Sequence, residues 1–193
     1  MRSATAKDKE LVSHILFNAF KNLTKENSIN YVVKQDKRRH ERLKILMNFL
    51  FEKSMNCGEI WISNDERACL LLNHSQQNKV SLKLILLELH LALACIGITR
   101  VSKVLKRQRL LKKHLPNEKH IVPVILGSIN KNNPRRSAAY LMMQVQKKYL
   151  RNQLPVIVNA AATKNVELYQ KFGFKVIDKD LSLGFPIYFL RLN

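Results

Sequence analysis

Along residues 7–23, apolar side chains recur at helical spacing: Leu11, Ile15, Ala19 and Leu23, with Val12, Leu16 and Phe20 beside them. That stripe predicts a helix with a broad core face. A polar stretch, 24–30, interrupts it. A second helix is expected over 34–53, with Leu43, Leu46, Met47 and Leu50 as its stripe and Gly58 beyond its end. Residues 59–63 and 67–72 are short apolar runs joined by Asn64-Asp65-Glu66, which predicts a β-hairpin. From 80 to 97 the chain is almost continuously apolar, broken by Lys83, Glu88 and His90. Each of the three is costly at mid-bilayer, so a buried or amphipathic helix is expected here and no membrane span.

Residues 99–119 read as a basic helix or loop, and 121–129 as a strand with Pro123 and Gly127 marking a bend or bulge. A loop at 130–134 leads to a helix over 138–151, with Leu141, Met142, Val145 and Tyr149 on one side. The β-branched run 154–158 predicts a buried strand. A short helix follows, with Thr163 as N-cap, Gly173 as its stop, and Leu168 and Phe172 packed inward. Residues 175–178 and 187–191 complete the strands. This order predicts an α/β (α+β) fold, with a central mixed, mostly antiparallel sheet flanked by helices. Its strand-helix-strand unit should cross right-handed. No repeat or low-complexity linker divides the 193 residues, so one domain is expected over 1–193, with a helical, basic insertion at about 79–119.

Charge changes the picture of the partners. The chain carries 34 Lys+Arg against 14 Asp+Glu, a net charge of +20. That predicts attraction to polyanions and says nothing about fold. Two basic stretches stand out. One is Lys37, Arg38, Arg39 and Arg42, where cationic charge opposes a helix dipole. The other is 100–119, whose basic residues face the single acid Glu118. Cys57, Cys69 and Cys95 lack ligand-like spacing, so buried thiols in a reducing compartment are expected, with no metal site. The first residues form no apolar run, which sets a cytoplasmic expectation.

The chemistry concentrates near Asn165, Tyr169 and Gly173-Phe174. Asn165 and Tyr169 stand at i and i+4, so an amide and a phenol share one helical face. This segment, after its strand, resembles motif B of the GNAT N-acetyltransferases. The stretch 114–120, Ala19-Phe20 and Pro186-Ile187-Tyr188 also look familial. The resemblance implies the GNAT-like fold and a first strand within 1–6. It further implies acetyl-CoA as co-substrate and transfer of an acetyl group to a primary amine on a small molecule or peptide. In the family the Asn contacts coenzyme A and the Tyr reprotonates the departing thiolate, so Asn165 is assigned to binding and Tyr169 to catalysis.

The resemblance also demands a phosphate loop ahead of the 138–151 helix. The family pattern of Gln/Arg, two residues, Gly, one residue, Gly/Ala falls on 133–138, and only Ala138 fits it well. Asn133 replaces Gln/Arg, Pro134 removes a donor, and Arg136 stands where a Gly is usual. Arg136 either blocks the phosphates or joins Arg135 as a cationic contact. The coenzyme set implied is Ser128, Asn133, Arg135, Arg136, Ser137, Ala138, Ala139 and Asn165. For the general base, Glu59, His74, Glu118, His120 and Ser128 stand near strand ends, and a water relay needs none of them. Two other readings stay open: a basic nucleic-acid-binding protein, less favoured for want of a recognition motif, and a GNAT-fold binding module that has lost catalysis.

Overall fold

The computed structural model describes residues 1–23, 27–77, 81–129, 134–151 and 153–193; at 134–136 and 150 it describes backbone alone. Its strands are β1 (Arg2–Ser3), β2 (Gly58–Ile62), β3 (Ala68–His74), β4 (Ile121–Ser128), β5 (Val156–Ala160), β6 (Lys175–Asp180) and β7 (Ile187–Leu192). They form a seven-stranded sheet in the order β1-β2-β3-β4-β5-β7-β6. Every neighbouring pair is antiparallel except β4 and β5. This is the mixed, mostly antiparallel sheet that the order of elements predicts. The first strand is only two residues long.

The helices are α1 (Lys9–Phe20), α2 (Ser28–Val32), α3 (Arg39–Cys57), α4 (Leu82–His90), α5 (Val101–Lys113), α6 (Pro134–Arg151) and α7 (Thr163–Lys171). Strand alternation sorts them onto two faces. Cys69 and Leu71 of β3 pack with α1 and α3, while Ala68, Leu70 and Leu72 pack with α6 and α7. All five are fully buried, so β3 is the spine of both cores. Burying each such leucine contributes roughly 1.5–3 kcal/mol. Gly58 turns α3 into β2 because a Cβ there would meet the Leu72 carbonyl oxygen at 2.0 Å.

Three expectations shift. The second helix starts at Arg39 and runs to Cys57 instead of spanning 34–53. Two of its basic residues explain the start. Arg39 donates to the Lys21 and Leu23 carbonyls at 2.7 and 2.8 Å, and Arg42 grips Asp36 at 2.8 and 2.9 Å. The apolar segment after β3 is not simply buried. Leu91, Cys95 and Ile96 are buried in the π turn that follows α4, but Leu82, Ile85, Leu86, Leu89 and Leu93 are exposed. Among the described residues no single helix is long and apolar enough to cross a membrane, and segments 82–96 and 98–113 meet at 98°. The 138–151 helix begins four residues early, at Pro134, where the fixed φ of proline suits a first helical position.

Candidate functional site

The sheet opens between its two parallel strands. β4 and β5 share one register pair, Ile121 with Val156, secured by Ile121 N–H donating to the Pro155 carbonyl at 2.9 Å. No ladder pair follows toward their carboxyl ends. In open α/β sheets, ligands bind outside the carboxyl ends of parallel strands. The opening is therefore the candidate site, bounded by Ser128 at the end of β4, the start of α6 and the start of α7.

The β4 side ends in a buried hydroxyl. Ser128 Oγ is sealed from solvent and has no partner. Of the expected phosphate loop, Asn133 lies outside the described residues, and only the backbone of Arg135 and Arg136 is described. Because α6 starts at Pro134, the N–H groups of Arg135 and Arg136 precede the first i→i−4 bond and lack intrahelical i→i−4 partners. Ser137, Ala138 and Ala139 lie inside the helix, where the ladder consumes their donors. They are removed from the phosphate set. The Ser137 hydroxyl is also committed: it donates to Asp65 Oδ2 at 2.7 Å and ties α6 to the β2–β3 turn. Burial pushes the Asp65 carboxyl upward, but hydrogen bonds from Ser63, Ser137 and the Arg67 N–H outweigh it and hold the group below its ordinary range.

On the β5 side, α7 ends as a Schellman motif. Phe174 N–H donates to the Tyr169 carbonyl at 3.1 Å, Gly173 N–H to the Gln170 carbonyl at 2.9 Å, and Gly173 has φ 85°. The Tyr169 and Phe174 rings pack at 5.3 Å, the apolar contact that accompanies this cap. The Tyr-Gly-Phe spacing is thus a helix-stop signal. Ala162, not Thr163, is the N-cap, without a side-chain bond. Val166 is the buried residue and Leu168 is exposed, opposite to the expected inward stripe, while Phe172 is half-buried. Asn165 is exposed in the first turn, and Tyr169 turns toward the α6 core. Burial raises the Tyr169 phenol, so it is protonated at neutral pH.

Apart from Ser128, the candidate bases belong to the other end of the sheet. His74 pairs in register with Ile121, at the start of β4. Seven residues of strand, roughly 23 Å, separate that level from Ser128. There Glu59 accepts from the Tyr149 hydroxyl and from Lys148 at 2.8 Å. His120 Nδ1 lies 2.7 Å from the Glu118 carbonyl, and Glu118 pairs with Arg191 at 2.7 Å. At the open end, a shallow depression beside Ile129 is lined by His14, Asn18, Lys21 and Asn22.

α5 closes the opposite face of this end, and its role was not legible as one basic segment. Lys106 donates to the Ser182 carbonyl between β6 and β7 at 3.2 Å. His114 stacks on Phe189 with ring centroids 4.1 Å apart and lies 2.7 Å from Asp178. Tyr31 of α2 packs edge-on against Phe185 at 5.5 Å. Arg100 and Arg107 face inward here. The missed signal was the seven-residue spacing of Arg100, Arg107 and His114, interleaved with Val104 and Leu111. Among the described residues, no three His, Cys, Asp or Glu side chains gather to hold a metal ion.

No protein-family model matches the sequence, and none of the curated proteins compared with it matches. Solved structures do match in shape. The Corynebacterium glutamicum "histone acetyltransferase HPA2 and related acetyltransferase" superposes with a TM-score of 0.69 at 15% identity, over 98% of this chain and 93% of that one. Arylalkylamine N-acetyltransferase 2 of Aedes aegypti gives 0.61 at 14%, over 99% and 96%. The Drosophila melanogaster polyamine N-acetyltransferase, which forms N-acetylagmatine, gives 0.52 at 12%, over 100% and 98%. With the single-pair junction of β4 and β5 and the helices that flank it, these matches show that the chain has the fold of the GNAT acetyltransferases.

Proposed function

We propose that the protein is an acetyl-CoA-dependent N-acetyltransferase that moves an acetyl group directly to a primary amine within a ternary complex. The observation that carries this reading is the opening between β4 and β5, with free helix N–H donors on one flank and a neutral phenol on the other. The unpaired edge of β4 offers backbone groups to an extended pantetheine arm. The N–H groups of Arg135 and Arg136 suit a pyrophosphate, with the α6 dipole behind them. Asn165, exposed at the start of α7, is placed for the coenzyme's flank, and Ser128 brings an unpartnered hydroxyl to the end of β4.

Holding thioester and amine together removes the entropy of encounter. The amine must lose its proton before attack, because an alkylammonium near pKa ~10.4 has no lone pair at pH 7. Water in the open mouth carries that proton away, since Glu59, His74, Glu118 and His120 lie at the far end. β4 N–H groups stabilise the oxyanion. Tyr169 donates the proton that the leaving thiolate, of pKa about 8.5, takes up. Its raised pKa keeps that proton in place at neutral pH.

Calorimetric titration with acetyl-CoA, using ATP and a short oligonucleotide as polyanion controls, tests the binding half. Salt-tolerant binding of acetyl-CoA alone is expected. Equal, salt-steep binding of all three points instead to a nucleic-acid-binding protein. Tyr169→Phe is expected to lower turnover about 100-fold or more with little change in coenzyme affinity, and Asn165→Ala to weaken affinity. Turnover unchanged in Tyr169→Phe removes it from the acid role.

A further inference from the structure

Two half-buried arginines on the α5 side of the sheet have no counter-charge among the described residues. Arg100 spends one nitrogen on the Tyr31 carbonyl, with Nη2 donating at 2.8 Å. Its Nη1 is sealed from solvent without a partner. Arg107 makes no hydrogen bond and no ion pair among the described residues; its Nε is sealed, while the residue as a whole is half-buried. Burial pushes the Arg107 guanidinium down to about 10, so it remains charged at neutral pH. Tyr31 ties to the helix between them: Arg100 holds its carbonyl, and its hydroxyl donates to the Lys103 carbonyl at 3.3 Å. Seven residues of helix separate their Cα atoms by about 10 Å, a span that two long side chains can close. His114, next on the same face, already has Asp178 at 2.7 Å and Asp180 at 3.7 Å. The arginines have no such partner.

A half-buried guanidinium without an anion loses part of its hydration with no charge in return. Its open terminal nitrogens suit a ligand that supplies the missing charge. The surroundings say where that ligand sits. Tyr31 abuts Phe185 in the connection that leads into β7, and Phe189 of β7 pairs in register with Asn159 of β5. The arginines therefore lie on the face opposite α6, near the connection into β7 that borders the carboxyl end of β5.

We propose that Arg100 and Arg107 bind an anionic group, carboxylate or phosphate, carried by the acceptor amine. On the transferase reading, on which this substrate class rests, the acceptors are amino acids or other anionic amines. The planar guanidinium fork fits either anion in a bidentate manner. The same pair repels a polyamine, whose second cation would lie against it. The positive field also favours the neutral form of the attacking amine.

The test compares matched pairs that differ by the anion: tyramine against tyrosine, agmatine against arginine, and ethanolamine against phosphoethanolamine. Thiol release gives kcat/KM for wild type, Arg107→Met and Arg107→Lys. An advantage of roughly 10- to 100-fold for the anionic member is expected in wild type. It should vanish in Arg107→Met and persist in part in Arg107→Lys. The carboxylate and phosphate pairs separate the two sources. Preference for the plain amine, or an equal ratio in Arg107→Met, overturns the proposal. Failure of every amine with acetyl-CoA bound counts against the transferase reading and leaves a second arm to decide the anion site. In that arm, N-acetyltyrosine and inorganic phosphate should raise the wild-type Tm, while N-acetyltyramine should not. The same rise in Arg107→Met, or none in wild type, refutes the site whatever the reaction.

Discussion

The start of α3 and the inner face of α5 look alike as sequence, since both are arginine-rich stretches beside apolar stripes. Their partners make them opposites. Arg39 caps the carboxyl end of α1, donating to the Lys21 and Leu23 carbonyls and to Asn30 Oδ1 at 2.9 Å. A cation there satisfies orphan carbonyls and suits the α1 dipole. Arg42 binds both oxygens of Asp36 and also the Ala94 carbonyl. The charge that opposes the α3 dipole is thus held by contacts outside α3. On α5, Arg107 has none of this. Satisfied cations build a structure, and a half-buried cation without a partner marks a place where a ligand can bind.

The sharpest way to break this comparison is to truncate one arginine from each region. Arg42→Met strands Asp36 and the Ala94 carbonyl in a half-buried position. Its Tm is expected to fall by about 5–10 °C, with the preference between anionic and plain amines unchanged. Arg107→Met removes an uncompensated charge and fills the space with apolar atoms. It is expected to gain about 1–2 kcal/mol, or about 2–6 °C in Tm, while losing that preference. Differential scanning calorimetry of the two variants without ligand checks both signs. If both lose stability, Arg107 is a structural residue like Arg42, and the anion site goes with that distinction.

Why the sequence distinguishes the two regions so poorly is instructive. Local pattern carried the order of elements: the α1 stripe, the β2–β3 hairpin and the stop at Gly173 follow from spacing and turn chemistry alone. What it did not carry depends on distant partners. The basic cluster at 37–42 read only as charge opposing a helix dipole, because the carbonyls it binds lie just past α1 and at Ala94. Ser137 read as a phosphate ligand, because Asp65 lies 72 residues away. The α6 start was placed at Ala138, close to its apolar stripe, although Pro134 signals a first helical position. Arg107 was buried in the count of a basic segment, although its heptad relation to Arg100 and His114 was present in the chain.

The smallest effect lies in pH dependence, and it separates the two arginines by window. The Arg42 hydrogen bond holds the Asp36 carboxyl down to about 2. A folded-state value below the unfolded one, about 3.9, means that its stabilisation is present above that value and is lost as pH falls toward 2. Arg42→Met should therefore flatten the acid slope of Tm between about pH 4 and 2. For Arg107 the shift is also downward, but the group is a base. The unfolded chain then binds more protons, so the penalty is full below about pH 10 and fades only as pH rises above it. The Tm gain of Arg107→Met should be constant from pH 5 to 8, and its acid slope should match that of wild type. A gain that varies across pH 5–8 would mean that a titrating neighbour already serves Arg107 as its counter-charge, and the comparison with Arg42 would then lose its basis.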